Sequence, residues 1–186
     1  MTYKIKLFLA AFKFYIYNSL VTNIPSYKVR HAYLRSILGI KIGKNSAIHM
    51  GCFITGYNIE IGDYSVINRN TYLDGRGVGI IIKDNVNISP EVYILSLTHN
   101  VNEPHFNTVS KEVIIEDYAW IGARAMIMPG TVIGKGAVLG ALSFTNKILD
   151  AYGIYAGVPA KKNAGRSRDL KYKISYFPLF NTDISL

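Results

Sequence analysis

Apolar residues recur every six positions in the second half of the chain, and a small residue follows each of them four places later. A helix favours apolar spacings near 3.6 residues and a flat strand favours spacings of two, so a sustained period of six fits neither. It predicts short strands that turn a corner every six residues and stack as coils of a solenoid. The pairs are Ile115/Ala119, Ile121/Ala125, Ile127/Thr131, Ile133/Ala137 and Leu139/Ser143.

Three shorter runs of the same period precede this one, each in a different frame. The frame changes predict insertions near residues 55–60, 75–81 and 100–111, and insertions in a solenoid project as loops that often carry function. The repeats alone also allow a purely structural rod. The runs are Ile42/Ser46 and Ile48/Cys52; Ile61/Ser65 and Ile67/Thr71; and Ile82/Val86, Ile88/Val92 and Ile94/Thr98.

Residues 7–17 are apolar and aromatic apart from Lys13. The stretch has about half of the roughly 20 residues that a bilayer span needs, and it lacks the pattern of a signal peptide. Two interpretations remain open: a helix that lies in a membrane interface, or a helix packed on the solenoid or on a neighbouring subunit.

Residues 26–38 predict a second helix that ends at Gly39. We expect it to cap the first coil of the solenoid. Its predicted inward side comprises Val29, Tyr33, Leu34, Ile37 and Leu38, and its predicted outward side comprises Lys28, Arg30 and Arg35.

The formal net charge of +9 is concentrated in the N-terminal segment, because no acidic residue precedes Glu60. Such a basic patch suits anionic lipid or phosphorylated substrates, and the absence of a recognisable nucleic-acid module argues against nucleic acid. The single cysteine, Cys52, excludes an intramolecular disulfide and occupies the small-residue position of its hexad, which predicts burial. No Cys/His spacing indicates a metal site, and we expect a cytoplasmic protein.

The hexads, the phrase AWIGARAMIMPGTVIGKGAVLGA, the later phrase IYAGVPAKK and a loop that opens with Thr98 and His99 together resemble the hexapeptide-repeat acyltransferases. The nearest branch contains the galactoside, maltose, capsular and colanic-acid polysaccharide O-acetyltransferases. The resemblance covers residues 40–162. It implies an all-β solenoid, specifically a left-handed parallel β-helix, which forms a homotrimer and binds acetyl-CoA between subunits.

The domain organisation then follows. Residues 1–40 form an N-terminal helical, basic segment, and residues 41–160 form the β-helix with a loop at about 99–112. Residues 161–186 form a basic, aromatic tail, which we expect to pack on the solenoid or across a subunit boundary.

The resemblance identifies His99 as the catalytic base. An acceptor hydroxyl must lose its proton as it attacks a thioester, and an imidazole can accept that proton near neutral pH. We expect direct attack without an acyl-enzyme, and a backbone N–H as the donor to the oxyanion. Glu103 and Asp117 are alternative candidates for the carboxylate that orients the imidazole.

Further site residues follow from positions that match the family. Asn68 is the predicted acceptor contact, although an asparagine is also a natural turn former, and Asp74 and Arg76 are added on position alone. Trp120 is predicted to line the active site, with corner packing as the alternative. Leu142 departs from the family, which usually has a small residue there. The predicted acetyl-CoA contacts, Trp120 among them, are Gly122, Ala123, Gly140, Ala141, Asn146, Lys147, Lys161 and Lys162.

These features predict an acetyl-CoA-dependent O-acetyltransferase that acts on a saccharide or lipid-linked saccharide in surface polysaccharide synthesis, at the inner face of the membrane. An N-acetyltransferase of a nucleotide-linked amino sugar and a non-catalytic solenoid are the alternatives.

Overall fold

The six-residue period folds into short strands that turn at three corners, as the sequence predicts. The computed structural model describes residues 2–182. Two α-helices precede the strands. The elements are α1 (Tyr3–Ser19), a 3-10 turn (Val21–Asn23), α2 (Tyr27–Ser36), β1 (Lys41–Ile42), β2 (Ala47–Ile48), β3 (Phe53–Thr55), β4 (Ile59–Ile61), β5 (Val66–Ile67), β6 (Tyr72–Asp74), β7 (Ile80–Ile82), β8 (Asn87–Ile88), β9 (Tyr93–Leu95), β10 (Leu97–His99), β11 (Thr108–Ser110), β12 (Val113–Ile115), β13 (Trp120–Ile121), β14 (Met126–Ile127), β15 (Val132–Ile133), β16 (Val138–Leu139), β17 (Phe144–Thr145), β18 (Ile148–Leu149), β19 (Gly153–Gly157), β20 (Ala160–Gly165) and a second 3-10 turn (Leu179–Asn181).

The strands form three faces of a parallel β-solenoid. Sheet A has the order β1-β4-β7-β12-β15-β18, sheet B has the order β2-β5-β8-β13-β16-β19-β20, and sheet C has the order β3-β6-β9-β14-β17. All pairings along the solenoid are parallel except the last, in which β20 runs antiparallel to β19. Five complete coils and a partial sixth result.

Paired large and small side chains fill the interior, which confirms the hexad pattern. Every predicted pair from Ile115/Ala119 to Leu139/Ser143 is buried. Two upstream pairs differ. Ile42, in the first coil, is only partly buried, and Thr98 is only half-buried because the chain leaves the coil after Ser96, which is fully buried. The prediction that Thr98 belongs to the hexad core is therefore wrong.

The three corners of the coils stack into three edges. We name them by the sheets they join: the A–B edge (residues 43–46, 62–65, 83–86, 116–119, 134–137 and 150–152), the B–C edge (residues 49–52, 68–71, 89–92, 122–125 and 140–143) and the C–A edge (residues 56–58, 75–79, 96–112, 128–131 and 146–147). The three predicted insertions all project from the C–A edge. A single edge therefore carries the irregular segments of the solenoid.

Helix α2 covers the first coil but presents a different face from the one predicted. Arg30 is fully buried, and its guanidinium donates to the carbonyl oxygens of Ile24 and Ile48. Val29 and Ile37 are instead exposed. The first coil and the connection before α2 each place a carbonyl oxygen toward this position, and a guanidinium has enough N–H groups to donate to both. The predictions for Arg30, Val29 and Ile37 were therefore wrong, whereas Leu34 and Leu38 do face the core.

The tail packs on the solenoid, as one of the two predicted arrangements requires. After β20 the tail returns along the A–B edge toward the first coil. It packs against tyrosines at the corners of the coils whose backbone is in the left-handed region. Tyr172 packs edge-on against Tyr118 at 5.3 Å, and Lys173 lies 5.0 Å from the ring centroid of Tyr64. Phe177 meets Tyr27 of α2 at 5.1 Å. The last part of the predicted tail, residues 183–186, lies outside the described residues.

Candidate active site

His99 is the last residue of a β-hairpin strand rather than the opening of a loop. Strands β10 and β11 pair antiparallel, with His99 opposite Thr108. The segment predicted as a loop at about 99–112 is therefore a hairpin with its base at Leu97, in which strands β10 and β11 flank a loop of residues 100–107. Ser96 ties that base to the preceding coil, because its hydroxyl contacts the carbonyl oxygens of Asp74 at 2.6 Å and Arg76 at 2.7 Å.

The imidazole of His99 is held by the hairpin itself. Its Nδ1 lies 2.8 Å from the carbonyl oxygen of Phe106, and the two rings stack with centroids 4.0 Å apart. A carbonyl oxygen can only accept, so this hydrogen bond requires the proton on Nδ1. The neutral ring then carries its lone pair on Nε2. Because His99 is exposed, Nε2 can accept a hydrogen bond from a group outside the hairpin.

The two carboxylates proposed to orient His99 serve other groups. Glu103 accepts from the backbone N–H groups of His105 at 3.1 Å and Asn107 at 2.9 Å, so it shapes the hairpin tip. Asp117 lies on the A–B edge, where it accepts from the backbone of Asp84. The group that orients the imidazole is a backbone carbonyl. The sequence could not identify Phe106 for this role, because every residue has a backbone carbonyl and the residue type does not show which one binds the imidazole.

A cleft of about 360 Å³ opens beside His99. Its walls include Thr98, Val109 and Lys111 from the hairpin and Pro129 from the next coil. The cleft combines valine and proline side chains with polar groups and one cation, a mixture that suits a small uncharged acyl group near a developing negative charge.

Asp74 and Arg76 lie next to the base of the hairpin, as their sequence position suggested. Asp74 is 1% exposed, and the guanidinium of Arg76 donates to both of its carboxylate oxygens, at 2.8 and 2.7 Å. The hydrogen bond to this carboxylate raises the pKa of Arg76. Both carboxylate oxygens of Asp74 are therefore engaged by Arg76, and Arg76 is the member of the ion pair that faces solvent. Asn146 and Lys147 lie further along the same C–A edge, both exposed.

The remaining predicted residues follow the B–C edge and sheet B instead. Backbone hydrogen bonds stack Asn68, Ser89, Gly122 and Gly140 in one column from coil to coil. Trp120 precedes that column, is 47% exposed and donates from its indole to Ser89 at 3.3 Å. Ala123 and Ala141 lie in the same corners. At about 3.3 Å per residue, sheet C separates this column from His99 by roughly 15 Å within one chain. A single chain therefore does not bring Asn68 or Trp120 to His99.

Asn68 has structural contacts of its own. Its side chain donates to the carbonyl oxygen of Ile88 at 3.1 Å. Together with Val66 and Asn87 it lines a cleft that Ile174 and Tyr176 of the tail close from outside. Asn68 therefore has a corner role in this chain, which is the alternative weighed from the sequence.

Gly122 is small because the next coil lies against it. A Cβ at this position would come within 2.4 Å of the backbone nitrogen of Ala141. Leu142 occupies a left-handed corner, with φ of 57° and 66% exposure, and so points away from the solenoid. The small residues of this edge thus have a packing reason independent of any ligand.

Lys161 and Lys162 lie on β20, beside the last coil. Lys162 pairs with Asp150 at 3.1 Å, and both side chains are largely exposed. This bond lowers the pKa of Asp150. Lys161 is exposed as well.

Cys52 is confirmed as a buried core residue. Its thiol donates to the carbonyl oxygen of Asn68 at 3.2 Å, and burial raises its pKa to about 12. Within residues 2–182, no group of three or more His, Cys, Asp or Glu side chains is arranged to hold a metal ion.

Comparison with known proteins agrees with this architecture. The family model described as bacterial transferase hexapeptide (six repeats) matches residues 112–147, and the model described as hexapeptide repeat of succinyl-transferase matches residues 34–56. WcaF of Escherichia coli (strain K12), provisionally assigned as a colanic acid biosynthesis acetyltransferase, is 32% identical over 130 residues, which cover 69% of this chain and 71% of WcaF.

Two solved structures share the fold. The hexapeptide-repeat acetyltransferase VCA0836 of Vibrio cholerae O1 biovar eltor, complexed with acetyl coenzyme A, has a TM-score of 0.72 and 27% identity over 86% of each chain. AntD, an N-acyltransferase from Bacillus cereus complexed with dTDP and 3-hydroxybutyryl-CoA, has a TM-score of 0.65 and 34% identity, covering 69% of this chain and 73% of AntD.

The chain belongs to the hexapeptide-repeat transferase family, as the sequence motifs indicated. It is an acyltransferase by class.

Proposed function

We propose that the protein transfers an acetyl group from acetyl-CoA to a hydroxyl of a saccharide, with His99 as the general base. The hydrogen bond from Nδ1 of His99 to the carbonyl oxygen of Phe106 carries this proposal. It fixes the tautomer and the ring plane, and it leaves Nε2 as a solvent-facing acceptor. A base needs both properties before the substrates arrive.

In the proposed reaction, Nε2 removes the proton of the acceptor hydroxyl as its oxygen attacks the thioester carbonyl carbon. The C–O bond forms, and the carbonyl oxygen becomes an oxyanion. The intermediate then collapses as the C–S bond breaks, and the imidazolium returns its proton to the thiolate of CoA. Protons balance without an acyl-enzyme.

An oriented imidazole favours a hydroxyl over an amine as the nucleophile. A hydroxyl is a poor nucleophile until its proton is removed, whereas a neutral amine attacks first and loses its proton afterwards. The similarity to AntD, an N-acyltransferase with dTDP bound, supports a second candidate. In that case the acceptor is an amino sugar linked to a nucleotide.

We propose that the complete site forms between two chains of a homotrimer. One chain contributes residues at the C–A edge, and its neighbour contributes residues at the B–C edge. The family resemblance supports this arrangement, as does the distance between the two edges within one chain. The first group is Arg76, His99, Asn146 and Lys147 with the adjoining Asp74 of β6, and the second is Asn68, Gly122, Ala123, Gly140 and Ala141 with the adjoining Trp120 of β13.

The exposed faces of the solenoid also support two neighbours per chain. Sheet C presents an aromatic column, in which Phe53 stacks on Tyr72 at 5.0 Å and Tyr72 on Tyr93 at 5.6 Å. Sheet A presents an aliphatic column of Ile81, Ile114, Val132 and Ile148 in register. The tail covers part of sheet B. A chain in a closed trimer has two neighbours, and two uncovered apolar faces suit that number.

In the proposed complex the pantetheine arm of acetyl-CoA lies along the small residues of the B–C edge beside Trp120. Lys161 and Lys162, with Asn146 and Lys147, are the proposed contacts of its adenine and phosphates. The complex of VCA0836 with acetyl coenzyme A supports an acyl-CoA donor.

The similarity to WcaF, whose name refers to colanic acid biosynthesis, supports a role in polysaccharide synthesis. We further propose that the acceptor is available in the cytoplasm at the inner face of the membrane. The test is incubation of the purified protein with acetyl-CoA and three acceptor groups: neutral glycosides, oligosaccharides and nucleotide-linked amino sugars. Free thiol is measured with a chromogenic disulfide reagent.

Mild hydroxylamine then cleaves ester products and leaves amides intact. We expect thiol release with a glycoside or oligosaccharide and a hydroxylamine-labile acetyl group. A stable product on an amino sugar favours the second candidate, and the lack of turnover with every acceptor favours a non-catalytic solenoid.

A further inference from the structure

Helix α1 carries an apolar stripe that nothing in the described chain covers. The stripe consists of residues at helical spacings of three, four and seven, which lie on one side of the helix. Phe8 and Phe12 at its centre stack at 6.1 Å and are 67% and 49% exposed. The members of the apolar stripe are Ile5, Phe8, Leu9, Phe12 and Tyr15.

The side of α1 opposite the stripe fixes the C-terminal half of the helix to the solenoid, whereas Leu7 on that side is 57% exposed. Phe14 packs on Tyr57 at 4.8 Å, and Tyr17 is fully buried. The side chain of Asn18 both donates to and accepts from the backbone of Ile54, each at 2.9 Å. The apolar stripe therefore faces away from the solenoid as a consequence of how the helix is anchored.

Cations border the stripe on both sides. At 100° per residue, Lys4 lies at one margin, and Lys6 and Lys13 lie at the other. Helix α2 adds exposed Lys28 and Arg35 on the same capped end of the solenoid. The first acidic residue of the chain is Glu60, so no carboxylate offsets these charges within the two helices.

The length of α1 determines how it can meet a bilayer. Its 17 residues span about 25 Å at 1.5 Å per residue. Within the part of the chain that the structure describes, no helix has both the length and the apolar character of a membrane span. A short helix with an apolar stripe bordered by lysines fits the interface between headgroups and acyl chains instead.

We propose that α1 docks the protein on an anionic lipid bilayer. The apolar stripe enters the interface, and Lys4, Lys6 and Lys13 contact the headgroups. Charge complementarity argues for lipid as the partner, because a second copy of this chain would bring the same unbalanced cations to the contact. The proposal does not depend on acyl transfer.

The test is co-sedimentation of the full-length protein with vesicles of phosphatidylcholine containing one quarter phosphatidylglycerol, and with vesicles of phosphatidylcholine alone. We expect the protein to pellet with the anionic vesicles and to be released by high salt. Failure of the wild-type protein to pellet with anionic vesicles overturns the proposal.

Two pairs of variants distinguish the stripe from non-specific attraction. F8S/F12S is expected to weaken the partition coefficient at least about tenfold, whereas L179S, which alters an exposed apolar residue of the tail, leaves it unchanged. K6E/K13E is expected to weaken it at least about tenfold, while K83E/K135E, which makes the same change of net charge on the A–B edge, changes it less than about twofold. Equal loss in the K6E/K13E and K83E/K135E proteins overturns the proposal, because it indicates net charge alone.

Light scattering of the same variants tests whether a second copy of this chain, rather than lipid, covers the apolar stripe. If F8S/F12S lowers the oligomeric state and leaves vesicle binding intact, the stripe is a contact between copies and the lipid proposal is wrong. An unchanged oligomeric state with lost vesicle binding supports it. Acetyl-CoA binding, measured in parallel without lipid, is expected to be unaffected, so failure of docking and failure of the proposed acetyl transfer are separable.

Discussion

His99 and Phe106 form a unit in which a backbone carbonyl holds the imidazole and a phenyl ring stacks on it. The Nδ1 to oxygen distance is 2.8 Å, and the ring planes differ by 9°. Phe106 has φ of 52°, a left-handed conformation that turns its carbonyl back toward His99. The hairpin thus presents an imidazole that is oriented by a backbone carbonyl rather than by a carboxylate.

Replacing His99 with alanine is expected to lower the rate of acetyl transfer by about 10²–10⁴-fold, because the acceptor loses its base. The affinity for CoA, measured by calorimetry, is expected to change less than about twofold. His105→Ala is the matched control, since His105 lies on the exposed tip of the same hairpin. Full turnover by the His99→Ala protein contradicts the mechanism.

Replacing Phe106 with alanine is expected to reduce kcat about tenfold while the KM for acetyl-CoA stays within about twofold. The carbonyl remains, but the ring no longer restricts the imidazole plane, and small errors in orientation are costly. Phe106→Tyr keeps the stacking and is expected to restore most of the rate. Steady-state kinetics on the three proteins makes the comparison, and an equal loss in both variants rules out a stacking role.

Gly122→Ala is expected to lower the free energy of unfolding by about 1–3 kcal/mol, because its Cβ would press on the next coil. Gly165→Ala is the matched control, since a Cβ there has nothing within 4 Å. We expect the control to change stability by less than about 0.5 kcal/mol. Urea denaturation of both proteins measures the difference, and similar stabilities for the two variants argue against tight packing at this edge.

We predict that the protein loses stability in mild acid because His31 is buried in its neutral form. Its Nε2 accepts from the backbone of Ile48 at 3.2 Å. Burial, with smaller contributions from Arg35 and Arg30, lowers its pKa to about 4. The unfolded chain takes up this proton near pH 6.5 and the folded chain only near pH 4. The stabilisation is therefore complete above pH 6.5 and is lost as the pH falls toward 4, by about 2–3 kcal/mol.

The measurement is urea denaturation at pH 7, 5.5 and 4.5 on the wild-type protein and on His31→Gln, which keeps an acceptor that does not titrate in this range. We expect a shallower loss of stability with acid in the variant. Parallel pH profiles for the two proteins show that His31 is not the titrating group.

The solenoid could be predicted from the sequence because the same two positions of each six-residue repeat are buried. Ile121 and Ala125 face inward for the same geometric reason as every other pair, so one rule locates the whole core. The rule fails where the chain leaves the coil. The two strands of the hairpin have three residues each, which is too few to show a period. The sequence therefore predicted a loop for this segment.

The burial of Arg30 could not be predicted from its residue type. An arginine on a short helix normally faces water. Its position here depends on contacts that only the fold creates, namely the carbonyl oxygens of Ile24 and Ile48 and the ring of Tyr27. The site shows a similar limit. The sequence identified His99 and Trp120 as candidates. In the proposed trimer, the relation between them depends on contacts between chains, which the periodicity of one chain does not encode.

The central claim is that His99 of one chain acts on substrates held by the B–C edge of another. The most direct measurement is the activity of mixed oligomers of His99→Ala and Trp120→Ala, coexpressed with two tags and purified through both. Each protein alone is expected to be nearly inactive. A mixed trimer of either composition has three seams, and about one in three of them joins an intact His99 to an intact Trp120, so we predict recovery of about a third of wild-type turnover. Mixed oligomers that remain as inactive as either parent would contradict the claim.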